Sequence, residues 1–380
     1  VKLPEFISYL KLRTSYTEVG SPITQTGITP GTVTDPMSGG VINPISTYPY
    51  PDFKPERTKS YEVGINARFL NGRISFDGTF YQSNTYNQTF LSVMSPATGY
   101  SGFYVQAGNV RNRGVEMTLG YNDTFGKVNY STHLTYTANQ NKIVEMVHDY
   151  RNPIDNSLVN ITELTLKEAG DVYLREGYSM SDVFTTGILQ RGRDGKLVEE
   201  GNGYQVDRSQ RIRLGSADPD FTMGWRHDIN YKNISLGLMI TGRFGGIVTS
   251  QTQAFMDAFG VSKVSAEARD NGGVMLDGHR YDAERYYNTV GGQGLMSYYT
   301  YDATNVRLQE LSLTYSLPKK WLGDVFNNAT ISFVGRNLFM FYRKAPFDPD
   351  MNGSTGTYNR SDFFMAPSLR NLGFSIKFSL

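Results

Sequence analysis

Residues 54–84 read KPERTKSYEVGINARF, then Leu70-Asn71-Gly72, then RISFDGTFYQSN. Tyr61, Val63, Ile65, Ala67 and Phe69 occupy one set of alternating positions, and Ser60, Glu62, Gly64, Asn66 and Arg68 the other. Strict alternation marks a strand with one apolar and one wet face. Asn71-Gly72 is a strong two-residue hairpin signal, because the favoured turn needs positive φ at both central positions. If the turn forms, Phe69 faces Ile74, Ala67 faces Phe76 and Val63 faces Phe80 on the apolar side. Arg68 then faces Ser75, Asn66 faces Asp77 and Glu62 faces Tyr81 on the wet side. A slip of one residue would turn every side chain to the wrong face.

The design recurs along the chain. Leu10, Leu12, Thr14 and Tyr16 alternate with Lys11, Arg13, Ser15 and Thr17, and Val115, Met117, Leu119 and Tyr121 alternate with Glu116, Thr118 and Gly120. Residues 127–140 place Val128, Tyr130, Leu134, Tyr136 and Ala138 opposite Asn129, Ser131, His133, Thr135 and Asn139. A turn at Lys232-Asn233 pairs Tyr231 with Ile234, Ile229 with Leu236, Trp225 with Ile240 and Phe221 with Phe244. His227 is the polar exception on that apolar face, read as a neutral side chain in a local contact, with a functional histidine as the alternative. The apolar phase flips near Gln309-Glu310, which predicts a β-bulge, and changes again near Gly335-Arg336. The last strand alternates Leu372, Phe374, Ile376, Phe378 and Leu380 with polar or small residues. The pattern amounts to about ten strands.

Connections alternate in length. Those near 70–72, 122–126, 232–233 and 318–327 are short, whereas 20–57, 87–110, 141–217, 247–303 and 343–366 are long. Short turns fall at one end of the strands and long loops at the other, as in outer-membrane barrels with a polar lumen and aromatic girdles. Closure removes sheet edges that lipid cannot satisfy. The competing architecture is a soluble β-sandwich, in which the apolar faces pack on one another.

Composition agrees with a barrel. The chain has 380 residues, net charge +1, no cysteine, 26 Tyr, 22 Phe and 39 Gly. Near-neutral charge implies no nucleic-acid partner, and the lack of cysteine excludes disulfides, thiol chemistry and Cys-based zinc sites. Mean hydropathy is −0.40, and no apolar run is long enough for a membrane-spanning helix, a test that says nothing about barrel strands. The chain begins at Val1 without a Met or a basic-then-apolar leader, so the natural start is expected upstream.

Seven stretches resemble the C-terminal part of the SusC/RagA group of TonB-dependent outer-membrane transporters of Bacteroidota. They are LKLRTSYTEVG (10–20), KPERTKSYEVGINARF (54–69), YVQAGNVRNRGVEMTL (104–119), SADPDFTMGW (216–225), TNVRLQELSLTYSLP (304–318), GRNLFMF (335–341) and FDPD (347–350). They run in family order across almost the whole chain. The resemblance implies an all-β transmembrane antiparallel barrel of roughly 22 strands, the size class whose lumen is plugged. Residues 1–380 would supply about the last ten strands, with the plug domain outside this chain. Two departures stand out: Glu18-Val19-Gly20 where Thr-Gly-Asn is common, and no terminal aromatic in Phe378-Ser379-Leu380. Asn371-x-Gly373-x-x-Ile376-x-Phe378 still resembles the signal read by the barrel-assembly machinery.

What the resemblance implies about function is import rather than catalysis. The expected activity is TonB-dependent uptake of an oligosaccharide or oligopeptide across the Gram-negative outer membrane. A SusD-like surface lipoprotein would close the long-loop end as a lid. The TonB–ExbB–ExbD complex would pull on the plug, and transporter–lid pairs would form a dimer in outer-membrane lipid. The alternatives are a siderophore-type receptor and a non-transporting adhesin-like barrel. The residues themselves show no catalytic constellation: His133, His148, His227 and His279 have no metal-ligand spacing, and no nucleophile elbow, P-loop or dinucleotide fingerprint appears. No cofactor is expected.

Binding candidates are the loop aromatics Tyr48, Tyr50, Phe53, Tyr100, Phe103, Tyr104, Tyr298, Tyr299 and Tyr301, whose flat faces suit sugar rings or peptide side chains. Packing of the loops against one another is the competing role. Arg68, Asp77, Glu116, Arg226 and Arg243 are assigned to the lumen face, as plug contacts or substrate path. Asp348, Asp350 and Asn352 copy the opening of a calcium loop, but Asn359 stands where a closing Glu is needed, so this is a weak candidate.

Overall fold

A computed structural model describes residues 3–22, 32–34, 42–44, 47–48, 53–151, 157–166, 172–322, 326–350 and 361–379. Ten long strands carry the alternation: β1 (Ile7–Ser21), β2 (Glu56–Phe69), β3 (Ile74–Tyr86), β4 (Asn109–Phe125), β5 (Val128–Glu145), β6 (Phe221–Tyr231), β7 (Ile234–Phe244), β8 (Asn305–Ser316), β9 (Asn328–Arg343) and β10 (Asn371–Ser379). Contacts divide the chain into two units, residues 1–121 with 135–181 and residues 122–134 with 182–380.

In the first unit β1, β2, β3 and β4 pair antiparallel in sequence order. The register between β2 and β3 is the one the turn dictates: Phe69 faces Ile74, Val63 faces Phe80, and Asn66 faces Asp77. Asn71 and Gly72 both take positive φ (57° and 84°), and the Arg73 amide donates to the Leu70 carbonyl at 3.2 Å. That is the backbone the Asn-Gly pair favours.

In the second unit β6 to β10 pair in sequence order as well. Tyr231 faces Ile234 and Phe221 faces Phe244, as the Lys232-Asn233 turn requires. The phase flip in β8 is a bulge: Leu308 faces Ile240, Glu310 faces Met239, and Gln309 is the extra residue. Opposite it, β9 is irregular between Arg336 and Phe339, with Asn337 at φ 51°. His227 tilts against Trp225 and shares a 2.8 Å hydrogen bond with the Oη of Tyr130, the ring it stacks beside, the local contact expected of it.

The apolar faces of these strands are not a protein core. Leu12, Tyr16, Tyr61, Val63, Phe80, Leu119, Trp225, Leu313, Phe333, Phe374 and Phe378 are all exposed. A sandwich would bury these side chains against a second sheet; here they face outward, where hydrocarbon suits them.

Cores form in the long connections instead. The link 247–303 contains three helices, α1 (Gln251–Ala258), α2 (Lys263–Asp270) and α3 (Ala283–Val290). Ser250, Ser262 and Asp282 cap them, each side chain accepting from a backbone amide in the first turn. Ala254 and residues of α3 pack with Leu189, Leu197, Tyr204, Tyr281, Leu295 and Tyr299. The alternation reading left these helices unrecognised, because a strand period says nothing about connections.

Candidate functional site

The wet faces carry ion clusters at positions fixed by register. In the first unit Arg13 on β1 sits opposite Gly64 on β2. Its guanidinium crosses the glycine and donates to Asp77 on β3 at 2.8 and 3.0 Å, and to Thr79 Oγ1 at 2.9 Å. A Cβ on Gly64 would lie 2.8 Å from Arg13 Nη2, so the glycine is the space through which the arginine passes. Asn66 Nδ2 donates to the same carboxylate at 2.6 Å. Glu116 is exposed opposite Thr79 in the next strand. Arg68 lies over the ring of Tyr9 at 5.6 Å.

The second unit repeats the device with more charges. Arg226 holds Asp228 through two bonds of 2.9 Å and lies 3.7 Å from Glu310, which Arg336 also engages at 3.1 Å. Gly237, facing both Asp228 and Ser312, gives room for the pair: a Cβ there would lie 2.5 Å from Ser312 Oγ. Asp228, Glu310, Arg336 and Arg13 are missing from the candidate residues read off the sequence. Asp228 lies two residues from Arg226 on the same strand face, but Arg13, Glu310 and Arg336 meet partners 26–84 residues away, visible only once the strands are in register.

Arg243, expected on the lumen face, is held by the connections at its end of the strand. It donates to the Ala217 carbonyl at 2.6 Å and lies 3.6 Å from Asp350. Beside it Arg307, 5% exposed, donates to Asp348 at 2.9 Å, Asp350 at 2.6 Å, Asn305 at 3.2 Å and Asn337 at 3.4 Å. Asn337 in turn donates to the Ser368 and Leu369 carbonyls. Two arginines thus clamp the Asp-Pro-Asp segment and tie it to the β8–β9 bulge. Burial pushes the Asp348 carboxyl up, but bonds from Ser368, the Asp350 amide and Arg307 outweigh it and leave the value below the ordinary 3.8. The calcium reading is corrected on this point: guanidinium groups occupy the carboxylate oxygens a cation would use. Among the described residues no cluster of acidic or histidine side chains could hold a metal; Asn352 lies outside them.

The aromatic candidates are also partly corrected. Tyr104 and Tyr299 are buried, at 8% and 3% exposure, and offer no face to a ligand. Tyr48 packs edge-on against Tyr100, Phe53 against Tyr104, and Tyr301 against Phe347; Phe103 tilts against Tyr150. Tyr298 Oη accepts from the Leu189 amide at 3.1 Å. Tyr50 lies outside the described residues. Long loops need apolar burial to offset the entropy of ordering them, and edge-to-face rings supply it. Exposed rings of the loops gather instead at Phe255, Phe259, Phe363 and Phe364, with centroids 5.2 to 6.4 Å apart.

Comparison with known proteins accounts for this arrangement. Residues 5–241 match the family model described as TonB dependent receptor-like, beta-barrel. TonB-dependent receptor P3 of Formosa agariphila is 25% identical over 404 aligned positions, covering 98% of this chain and 40% of that protein. TonB-dependent receptor P26 of the same organism is 25% identical, covering 79% of this chain and 32% of that protein. The structure titled RagAB peptide transporter superposes over 99% of this chain and 41% of its own, with a TM-score of 0.71 at 17% identity. The chain therefore spans about 40% of the length of these relatives. It belongs to the TonB-dependent receptor β-barrel family, and its place is the outer membrane of Gram-negative bacteria.

Proposed function

We propose that the whole protein imports an oligopeptide or oligosaccharide across the outer membrane, powered through TonB, and that this chain is the C-terminal part of its barrel. One observation carries the reading: apolar strand faces stand exposed while the opposite faces carry arginine–carboxylate clusters. That is a wall between hydrocarbon and a wet interior. In this reading Arg68, Asp77, Glu116 and Arg226 line the interior and meet a plug domain outside this chain. Exposed ion pairs suit such a contact, because each contributes little and can be broken in turn. Arg243 and Arg307 instead set the position of the outer loops.

A SusD-like lipoprotein would close the long-loop end, where the exposed phenylalanine cluster offers apolar surface, and two transporter–lid pairs would assemble. Half-buried Tyr48, Phe53, Tyr100, Phe103, Tyr298 and Tyr301 would shape the loop walls rather than stack flat on substrate. Gating would be conformational, with no covalent step. Uptake of labelled oligopeptides and oligosaccharides by cells with and without the gene tests the proposal. Loss of uptake of either class supports it. Unchanged uptake of both, with impaired growth on chelated iron alone, would replace it with the siderophore-receptor reading.

A further inference from the structure

We propose that the outward face of β1–β4, at its long-loop end, binds the phosphate groups of an outer-leaflet glycolipid. Register rows across the first unit carry the argument. Tyr16, Tyr61, Gln82 and Arg113 form one row; Glu18, Lys59, Asn84 and Arg111 form the next; Gly20, Arg57 and Tyr86 form the third. Each row continues the apolar face of Val63, Phe80 and Val115 toward the loops. The outward surface thus changes from aliphatic to cationic within four residues on β2 (Val63 to Lys59) and within two on β4 (Val115 to Arg113).

Contacts confirm that these side chains share one side. Tyr16 and Tyr61 pack at 5.0 Å, Lys59 lies over the Tyr86 ring at 5.8 Å, and Arg57 reaches Glu18 at 3.3 Å. Asn84 donates to Asn109, and Arg113 to Gln140 on β5, each at 2.8 Å. The three rows hold four cations and one acid, Glu18, which leaves a local charge of about +3 beside amide donors.

Their height matches a headgroup. Ten residues separate Phe69 from Lys59, and ten separate Tyr121 from Arg111. At about 3.3 Å per residue and a tilt of about 40°, each interval rises roughly 25 Å, the height of the apolar band of a barrel. The cations therefore stand where hydrocarbon ends and lipid phosphates begin. An exposed arginine facing lipid is costly deeper in the band and favourable here. The corresponding end of the second unit is different: Phe221 and Phe244 stack there at 4.6 Å, and Phe339 and Phe341 are exposed.

The test uses the full-length protein in phosphatidylcholine vesicles doped equally with bisphosphorylated lipid A, dephosphorylated lipid A or phosphatidylglycerol. Co-retained lipid is counted by native mass spectrometry. Wild type should retain bisphosphorylated lipid A at least about tenfold better than a variant carrying Arg57→Gln, Lys59→Gln, Arg111→Gln and Arg113→Gln, with retention falling as salt rises. Heat-modifiable gel mobility checks that the barrel is folded. If the quadruple variant does not fold, the pairs Arg57→Gln with Lys59→Gln and Arg111→Gln with Arg113→Gln are compared instead, each expected to lose retention. Equal retention by variant and wild type overturns the proposal, as does equal retention of the dephosphorylated lipid or of phosphatidylglycerol by wild type. Nutrient uptake is a separate measurement, so failure here leaves the import reading standing.

Discussion

Arg13 and Arg307 are both strand arginines on carboxylates, and they differ in burial. The Arg13 and Asp77 side chains are 35% and 36% exposed; those of Arg307 and Asp348 are 6% and 11% exposed. Arg13 shares its acid with Asn66 on the polar face of its sheet. Arg307 holds two acids at once and is almost wholly shielded from water. Water screens the first pair, so it stabilises little and its parts can be exchanged for another contact. The second is a fixed clamp, because removing the arginine leaves the largely buried Asp348 carboxylate without a counter-charge and Asp350 with Arg243 alone. Similar chemistry at two depths therefore serves a water-exposed strand face and a joint that holds loops in place.

The largest expected effect tests the clamp. Arg307→Met should cost about 3–5 kcal/mol, read as a lowered unfolding temperature and faster proteolysis near residues 344–350. Arg307→Lys should recover part of the loss, since one ammonium cannot reach four acceptors in a plane. A Met variant as stable as wild type would remove the distinction between the two arginines. The outward face supplies the next effect: Val63→Arg should cost roughly 2–4 kcal/mol in a folding assay in lipid. A cost near zero there would mean that Val63 does not face hydrocarbon.

Gly114→Ala should cost about 1–3 kcal/mol, because its Cβ would lie 2.5 Å from both the Ala138 carbonyl oxygen and Tyr81 Oη. Gly64→Ala should cost less than Gly114→Ala in the same denaturation series, as the atom it meets ends a flexible side chain that is free to shift. The smallest change is Arg13→Ala, with a loss of at most about 1 kcal/mol that shrinks further in high salt. A loss as large as that of Arg307→Met would show that exposure does not separate the pairs.

Acid sharpens the same contrast. The folded-state value of Asp348 is lowered, so its contribution is complete above the ordinary carboxylate value of 3.8. It is lost as pH falls below 3.8 through the lowered value. A stability titration should show this loss in wild type and a smaller one in Arg307→Met.

The local sequence determined much of the wall. Asn71-Gly72 set the β2–β3 register, alternation assigned the faces, and the phase flip at Gln309 located a bulge. Each is a short-range signal: turn dihedrals and a period of two residues are properties of neighbours along the chain. Asp77 and Arg226 were legible as wet-face charges for the same reason. Their distant partners were not, since Arg13 meets Asp77 across 64 residues, over a glycine whose role appears only with both strands in place, and Glu310 meets Arg226 from another strand. The loops show the limit most clearly. Tyr104 and Tyr299 look like ligand platforms in a list of aromatics, and burial decides otherwise. Asp348 and Asp350 look like the start of a cation loop until Arg307, distant in sequence, fills their oxygens. Face and register follow from adjacent residues. Which charge meets which, and which ring stays dry, depends on distant segments sharing space, and only the tertiary structure decides that.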